Sequence, residues 1–289
     1  MPKRPPTLVK FGGELLEDPR RLRRIARALV EASSQGPIVV VHGGGREVDD
    51  EMARLGIPKR AVDGLRVTDA ATLDVVVGVL AGRVNTRVVA AIGAAGGSAV
   101  GLTGVDAGIT RVQRARRYRA TDGSSVDLGY VGVPDQGGAP TLVAELTRGG
   151  HMPVIASIAS DARGRLYNVN ADTLAGDLAP RLGAGRLIVA GTTAGVLDAS
   201  GRTFPLVDDE RLIRLIRERQ ASAGMVAKLL ACRAAHAGGV KRVMIVDGRR
   251  STFLEREPGS GNTVVTSGPG TAAGPARRGR TVRRGRKKP

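Results

Sequence analysis

Apolar positions along the chain switch between two periods. Thr7 to Phe11 and Ile38 to Val41 are short, mostly β-branched runs that fit buried strands, and each stops at glycine: Gly12-Gly13 after the first, Gly43-Gly44-Gly45 after the second. Between them Leu22, Ile25, Ala26, Leu29 and Val30 share one face of a helix, with Asp18 as its cap, Pro19 at its first position and Gly36 past its end. The pattern predicts a βαβ unit. Both glycine turns then fall on the same edge of a parallel sheet, the edge at which such sheets bind ligands.

Val48, Met52 and Leu55 mark a second helix from about residue 46, stopped by Gly56-Ile57-Pro58. A loop from Asp63 to Thr68 leads to Thr68 or Asp69 as cap of a long helix through Leu73, Val76, Val77, Leu80, Val84 and Val88. Ala99 to Leu102 reads as a strand, 109–133 as a hairpin region turning at Asp122-Gly123-Ser124, 140–148 as a helix and Met152 to Ser157 as a strand. After a turn at 161–164, a helix runs through Leu174, Leu178 and Leu182. A strand at 187–190, a polar loop at 191–195, helices near 208–219 and 224–237 and a strand at 241–246 complete an α/β alternation. Elements restart after the loop near 158–170, so two lobes are expected, 1–165 and 166–270.

Side-chain-free backbone at residues 43–45, followed by a helix start, forms either a cradle for phosphate or carboxylate or an ordinary tight βα turn. Lys10 ends an apolar strand beside Gly12-Gly13; it either meets an anion or lies on an exposed edge strand. Lys228 stands mid-helix among apolar neighbours, as snorkelling lysines do, and gains meaning only in combination. Arg66 sits in a loop before a capped helix, well suited to grip a carboxylate. Asn168, Asn170 and Asp172 alternate, so in extended backbone they face one way as a binding cluster; the other reading is a polar turn with an N-cap.

Composition narrows the classes. The chain has 289 residues, 42% of them hydrophobic, enough for a large core. Aromatics are 2% and Trp is absent, which removes base stacking as a major binding mode. A single cysteine, Cys232, excludes an intrachain disulfide, and no apolar leader or membrane-length apolar run is evident, so a cytoplasmic setting without membrane is expected. Net charge is +18, or +10 once the eight basic residues between Arg277 and Lys288 are set aside. That tail, 271–289, is expected to be disordered, either holding nucleic acid or an acidic partner or being an extension without one. No Gly-Lys pair exists for a Walker A loop, no serine has glycine at both −2 and +2 for a nucleophile elbow, and the three histidines are scattered, so no metal ligands are assigned.

Taken together, Val9-Lys10-Phe11-Gly12-Gly13, His42-Gly43-Gly44-Gly45 with Val48-Asp49, Gly64-Leu65-Arg66-Val67-Thr68, Asn168 to Asp172 and Gly224 to Lys228 resemble the amino-acid kinase superfamily. The likeness spans about Thr7 to Val265 and is nearest to the branch acting on N-acetyl-L-glutamate; Asp127 to Gly132 is also similar to a segment of it. The resemblance implies a three-layer αβα sandwich with a mainly parallel eight-stranded sheet. It implies an N-terminal substrate and dimerisation lobe, a C-terminal nucleotide lobe, and ATP with Mg²⁺ as phosphoryl donor to a small acyl amino acid. Lys10 and Lys228 would stabilise the transferring group and Asp172 would orient both. Gly44, Gly45, Arg66, Asn168 and Asn170 would bind the acceptor, and Gly12, Gly13, Thr192, Thr193, Gly195, Gly224 and Met225 the phosphates and nucleotide.

Two departures matter. Where the family carries an acidic residue in its nucleotide loop, this chain has Gly191-Thr192-Thr193-Ala194, and 250–270 matches poorly. Nine residues precede Lys10, too few for the extra N-terminal helix that links dimers into arginine-sensitive hexamers in some members, so a feedback-insensitive homodimer is expected. A sister kinase, acting on α-aminoadipate or glutamate held on an acidic carrier protein, is the second reading. The basic run Arg111, Arg114, Arg116, Arg117, Arg119 favours it, as do Gly239 to Val243 and Asn262 to Val265; a non-catalytic nucleic-acid binder using the tail is the third.

Overall fold

The computed structural model describes residues 4–120, 123–135, 137–250, 252–254 and 261–267; Asp122 and the tail 271–289 lie outside them. In chain order come β1 (Thr7–Phe11), α1 (Pro19–Ser33), β2 (Ile38–His42), α2 (Gly45–Arg54), a small hairpin of β3 (Ala61–Val62) and β4 (Leu65–Arg66), α3 (Ala70–Val77), a π-helical stretch Gly78–Val84, α4 (Asn85–Ala94) and β5 (Ala99–Thr103). There follow β6 (Val112–Arg114), β7 (Tyr118–Arg119), β8 (Ser125–Val126), β9 (Val131–Pro134), α5 (Thr141–Arg148), β10 (Met152–Ala156), β11 (Ile158–Ser160) and β12 (Leu166–Val169). The last part holds α6 (Ala171–Arg181), β13 (Arg186–Gly191), β14 (Leu206–Val207), α7 (Asp209–Arg217), α8 (Ala223–Ala237), β15 (Arg242–Asp247) and β16 (Thr263–Val265).

The main sheet has eight strands in the order β14-β16-β15-β13-β1-β2-β10-β5, with every neighbouring pair parallel except β15 with β16. β1 stands at its middle, paired with β2 on one side and β13 on the other. Strand alternation then decides the layers. Leu8 packs in the core cluster shared with α5, α6 and α8, through Val143, Leu174, Leu178 and Leu229. Val9 and Phe11 pack in the cluster shared with α1 to α4, through Ile25, Leu29, Val48, Val76 and Val88. Lys10, two residues after Leu8, therefore falls on the α6/α8 face, while His42, two after Val40, falls on the α4 face.

Caps match their predicted places. Asp18 accepts from Arg21 N at 2.6 Å ahead of Pro19, and Asp69 accepts from Thr72 N at 2.8 Å. Three local expectations change. The hairpin at 109–133 is two pairings, β7 with β8 and β6 with β9. The strand expected to reach Ser157 ends at Ala156. The long helix opens into the π stretch, and although Ala70–Ala94 is long and apolar enough overall to pass for a membrane span, it is interrupted by Asp74, Arg83 and Arg87, in keeping with the absence of an unbroken apolar run. Here Val76, Leu80, Val84, Val88 and Ile92 of that helix are buried in the core.

Candidate active site

Both glycine turns meet at the C-terminal edge of the sheet. A Cβ on Gly13 would lie 2.6 Å from Gly44 Cα and 3.1 Å from Gly45 N, so the two backbones touch and only glycine fits between them. Helix α2 begins at Gly45 with Gly44 as its N-cap and no side-chain cap bond. Its first N–H groups have no intrahelical acceptor, and the helix dipole adds positive potential at the same point. With glycines 12 and 13 opposite, this floor can hold an anion.

Lys10, Gly12, Gly13, Gly44, Gly45, Arg66, Asn168, Asn170 and Asp172 all line one cleft of about 270 Å³ on this floor. Lys10 is 6% exposed and Asp172 8%, and Lys10 Nζ stands 2.9 Å from Asp172 Oδ1. That contact is electrostatic: Oδ1 accepts no well-aligned hydrogen bond among the described residues. Lys228 approaches from α8, its Nζ 3.1 Å from where a Cβ on Gly191 would be, at the end of β13. Burial and then the repulsion of Lys10 hold its ammonium below the usual lysine range, against the opposing pull of Asp172. The two cations are thus brought into one field. A Cβ on Gly176 of α6 would lie 2.6 Å from the carbonyl oxygen of Ala231, so bare backbone lets the helices bearing Asp172 and Lys228 approach closely.

Arg66, on β4, is held in place before any ligand arrives. Its Nη2 donates to Gly45 O at 2.9 Å and to Asp49 Oδ1, and its Nη1 lies 3.1 Å from Met52 Sδ. Asn168, on β12, donates through Nδ2 to Thr68 Oγ1 at 3.2 Å. The run Asn168 to Asp172 is not a single extended segment, which corrects the alternation argument: the strand ends at Val169 and Asn170 caps α6, accepting from Asp172 N at 2.9 Å and Thr173 N at 3.1 Å. Asn170 still lines the cleft, but its oxygen is committed to the helix.

The residues expected around the nucleotide are placed less tightly. Thr192, Thr193 and Gly195 follow β13 on the same sheet edge without lining the cleft; Thr193 Oγ1 donates to Gly195 O at 3.1 Å. Thr263 fastens that loop, accepting from Val196 N at 2.8 Å and donating to Phe204 O at 2.7 Å. Gly224 lines a wider groove of about 1070 Å³ that runs over α6 and α8 and shares Gly64, Leu65 and Asn170 with the cleft. Met225 packs on the α6/α8 core, and its N–H is given to the cap Ser222 Oγ at 3.3 Å. Sequence reasoning overlooked Glu14 and Ser157 in the cleft wall, and gave Leu65 and Val131, which stand in two of the motifs, no role of their own. Glu14 follows the glycine pair directly and was the one a charge signal could have flagged.

His42 lies on the other face of the sheet with its pKa pushed down to about 4 by burial, and burial pushes the Cys232 thiol up. What the cleft offers is positive charge and backbone N–H groups, the equipment for holding and moving charge on a phosphoryl group.

The chain belongs to the amino acid kinase family, whose profile matches residues 5–247. Over 248 residues it is 41% identical to the acetylglutamate kinase of Sphingopyxis alaskensis, covering 84% of this chain and 82% of that protein. It is 42% identical over 269 residues to the acetylglutamate kinase of Thermosynechococcus vestitus, covering 90% and 88%. The fold is similar to that of N-acetylglutamate synthase from Neisseria gonorrhoeae in complex with coenzyme A and N-acetyl-glutamate, with a TM-score of 0.74 and 23% identity over 91% of this chain and 60% of that one. Carbamate kinase from Giardia lamblia, bound to AMP-PNP, matches with a TM-score of 0.63 and 12% identity over 93% and 100%.

Proposed function

We infer that this protein phosphorylates the γ-carboxylate of N-acetyl-L-glutamate from ATP, giving N-acetyl-L-glutamyl 5-phosphate, a step of arginine biosynthesis. About 40% identity to acetylglutamate kinases over most of the chain supports the acceptor. The single observation that carries the chemistry is the buried Lys10–Asp172 pair beside two abutting glycine turns, with Lys228, which does not itself line the cleft, near enough to feel the repulsion of Lys10 and the pull of Asp172.

A carboxylate with a pKa near ~4.3 is already ionised at neutral pH, so the nucleophile needs no general base. The cleft's tasks are to align two anions that repel each other and to stabilise the charge that migrates between them. In this reading Arg66 and Asn168 grip the acceptor, with Asn170 at the cleft wall, and Gly44 and Gly45 present N–H groups to it. Gly12 and Gly13 receive phosphate oxygens, Lys10 and Lys228 neutralise the transferring group from two sides, and Asp172 keeps both ammonium groups aimed. Thr192, Thr193, Gly195, Gly224 and Met225 would flank the nucleotide.

Among the described residues no three His, Cys, Asp or Glu side chains gather as a metal site. Mg²⁺ would therefore be held chiefly by the nucleotide's phosphates, with Glu14 as a carboxylate in the cleft wall, and would supply charge neutralisation. The reading includes a cytoplasmic homodimer, for which β5, the last strand of the main sheet among the described residues, is the edge a second copy would face. An ADP-release assay with free N-acetyl-L-glutamate tests the function. Rapid turnover is expected; turnover only with an acceptor bound to a carrier protein would replace it with the sister reaction, and turnover with neither would remove the kinase reading.

A further inference from the structure

One buried polar group in the glycine region has no part in this chemistry. His42 is fully buried at the end of β2, on the face opposite Lys10. Its Nε2 faces Asn85 Nδ2 at 3.0 Å and its Nδ1 faces the carbonyl oxygen of Gly43 at 3.0 Å. Asn85, itself 4% exposed, also donates from Nδ2 to Val154 O at 2.9 Å and approaches Leu102 O at 3.3 Å, so the group facing His42 is the amide NH₂. An NH₂ can only donate. Nε2 must therefore accept, and the ring's one hydrogen sits on Nδ1 and is given to Gly43 O.

The consequence lies one atom further on. In a trans peptide the carbonyl of Gly43 and the N–H of Gly44 point in opposite directions. A carbonyl tied inward, toward the core side of the sheet, turns the next N–H outward, toward the cleft that Gly43, Gly44 and Gly45 line. Among the described residues no protein acceptor is paired with that N–H. Gly44 has φ 174° and ψ 42°, a conformation outside the helical region, and it is pressed from behind by Leu80 and Val84 of the π stretch, which a Cβ there would meet at 2.7 and 3.2 Å. The wide turn thus delivers both the wall behind Gly44 and, one residue past its end, the Asn85 that fixes the ring.

We propose that His42 is a positioning residue for the reaction: buttressed by Asn85, it locks the Gly43–Gly44 peptide so that the Gly44 N–H is aimed at a carboxylate of the acceptor. The ligand class is an N-acylated dicarboxylate, and the inference rests on the functional reading above.

Two substitutions divide the ring's two bonds. His42→Asn places an amide N–H near the position of Nδ1 and keeps the bond to Gly43 O, whereas His42→Gln places its amide oxygen near Nε2, keeps Asn85 satisfied and loses the bond to Gly43. The expected result is a KM for N-acetylglutamate raised about 10- to 100-fold in His42→Gln, the loss of one hydrogen bond to a charged group, with the nucleotide KM nearly constant. His42→Asn should recover most of that loss. Equal behaviour of the two variants, or a parallel rise in both KM values, would mean that the ring serves packing alone and would overturn the proposal. A measurement on the unaltered protein needs no variant to fold: with ¹⁵N-glycine labelling, the Gly44 amide proton should move downfield when N-acetylglutamate binds. Binding by calorimetry without that shift overturns the proposal and spares the functional reading; no binding at all sinks both.

Discussion

Replacing Lys10 by alanine separates what the lysine does for catalysis from what it does for the fold. The side chain is 8% exposed and its partner's 11%, with 2.9 Å between the charged atoms. Removing one member of a buried pair costs about 3–5 kcal/mol in stability, because the other charge is left without its partner. Lys228 still acts on Asp172, so the lower end of that range is expected. The catalytic loss is a different quantity: one cationic donor withdrawn from developing charge lowers kcat by about 10²- to 10³-fold. Nucleotide affinity should fall far less, because ground-state phosphates keep the glycine amides and Lys228. The assay is kcat from coupled ADP release, with nucleotide binding by calorimetry and unfolding in urea. Lys10→Ala combined with Asp172→Ala is the control. It should regain part of the stability, since the Asp172 carboxylate is no longer left without Lys10 and the buried Lys228 ammonium loses the repulsion of Lys10 along with the pull of Asp172, and none of the turnover. A double variant turning over within about tenfold of the wild type would refute the reasoning, because a lost TS contact cannot be restored by deleting a second group.

Other outcomes follow from the same coordinates. Gly13→Ala should harm turnover more than Gly44→Ala, because a methyl at Gly13 strikes the backbone of Gly44 and Gly45 while one at Gly44 meets the ends of Leu80 and Val84, which can shift; steady-state kinetics on both decides it. Asn170→Ala should lower unfolding free energy by about 1 kcal/mol through the lost cap of α6, measured in urea, whatever it does to the acceptor KM. The neutral His42 sets a pH dependence. Its folded pKa of about 4 lies below the ordinary 6.5, so the unfolded chain takes up a proton that the native state refuses. The contribution is complete above pH 6.5 and is lost as the pH falls toward 4, by about 3 kcal/mol at 1.36 kcal/mol per pKa unit. Wild type should lose that much more stability than His42→Asn between pH 7 and 4; equal losses would contradict a buried neutral ring.

Much of this site could be read because it is built from backbone punctuation. The strands ending at Phe11 and His42 announce themselves by β-branched runs cut by glycine, and placing both turns on one sheet edge needs only the handedness of a βαβ crossover. Lys10 is legible for the same reason: an apolar strand has few uses for an ammonium group. The contribution of Lys228 needed the tertiary approach of α6 to α8 at Gly176 and Ala231, which no local pattern encodes. Asn170 was ambiguous because short polar side chains serve ligands and helix starts alike, and here the backbone of α6 claims its oxygen. Ser157 was invisible, a single serine between two buried strands. The sheet's far edge escaped notice too, since β14 and β16 are only two and three residues long and owe their form to the strands beside them. The π stretch has no sequence mark of its own within the apolar helix, yet it presses on Gly44.

The most direct measurement is a crystal structure of the protein with ADP, Mg²⁺, N-acetyl-L-glutamate and a planar fluoride mimic of the transferring group. The account predicts the Nζ atoms of Lys10 and Lys228 both within about 2.7–3.1 Å of atoms of the mimic or of the oxygens flanking it, with Asp172 between them. A mimic bound in line with the acceptor carboxylate but touched by neither ammonium group would contradict it.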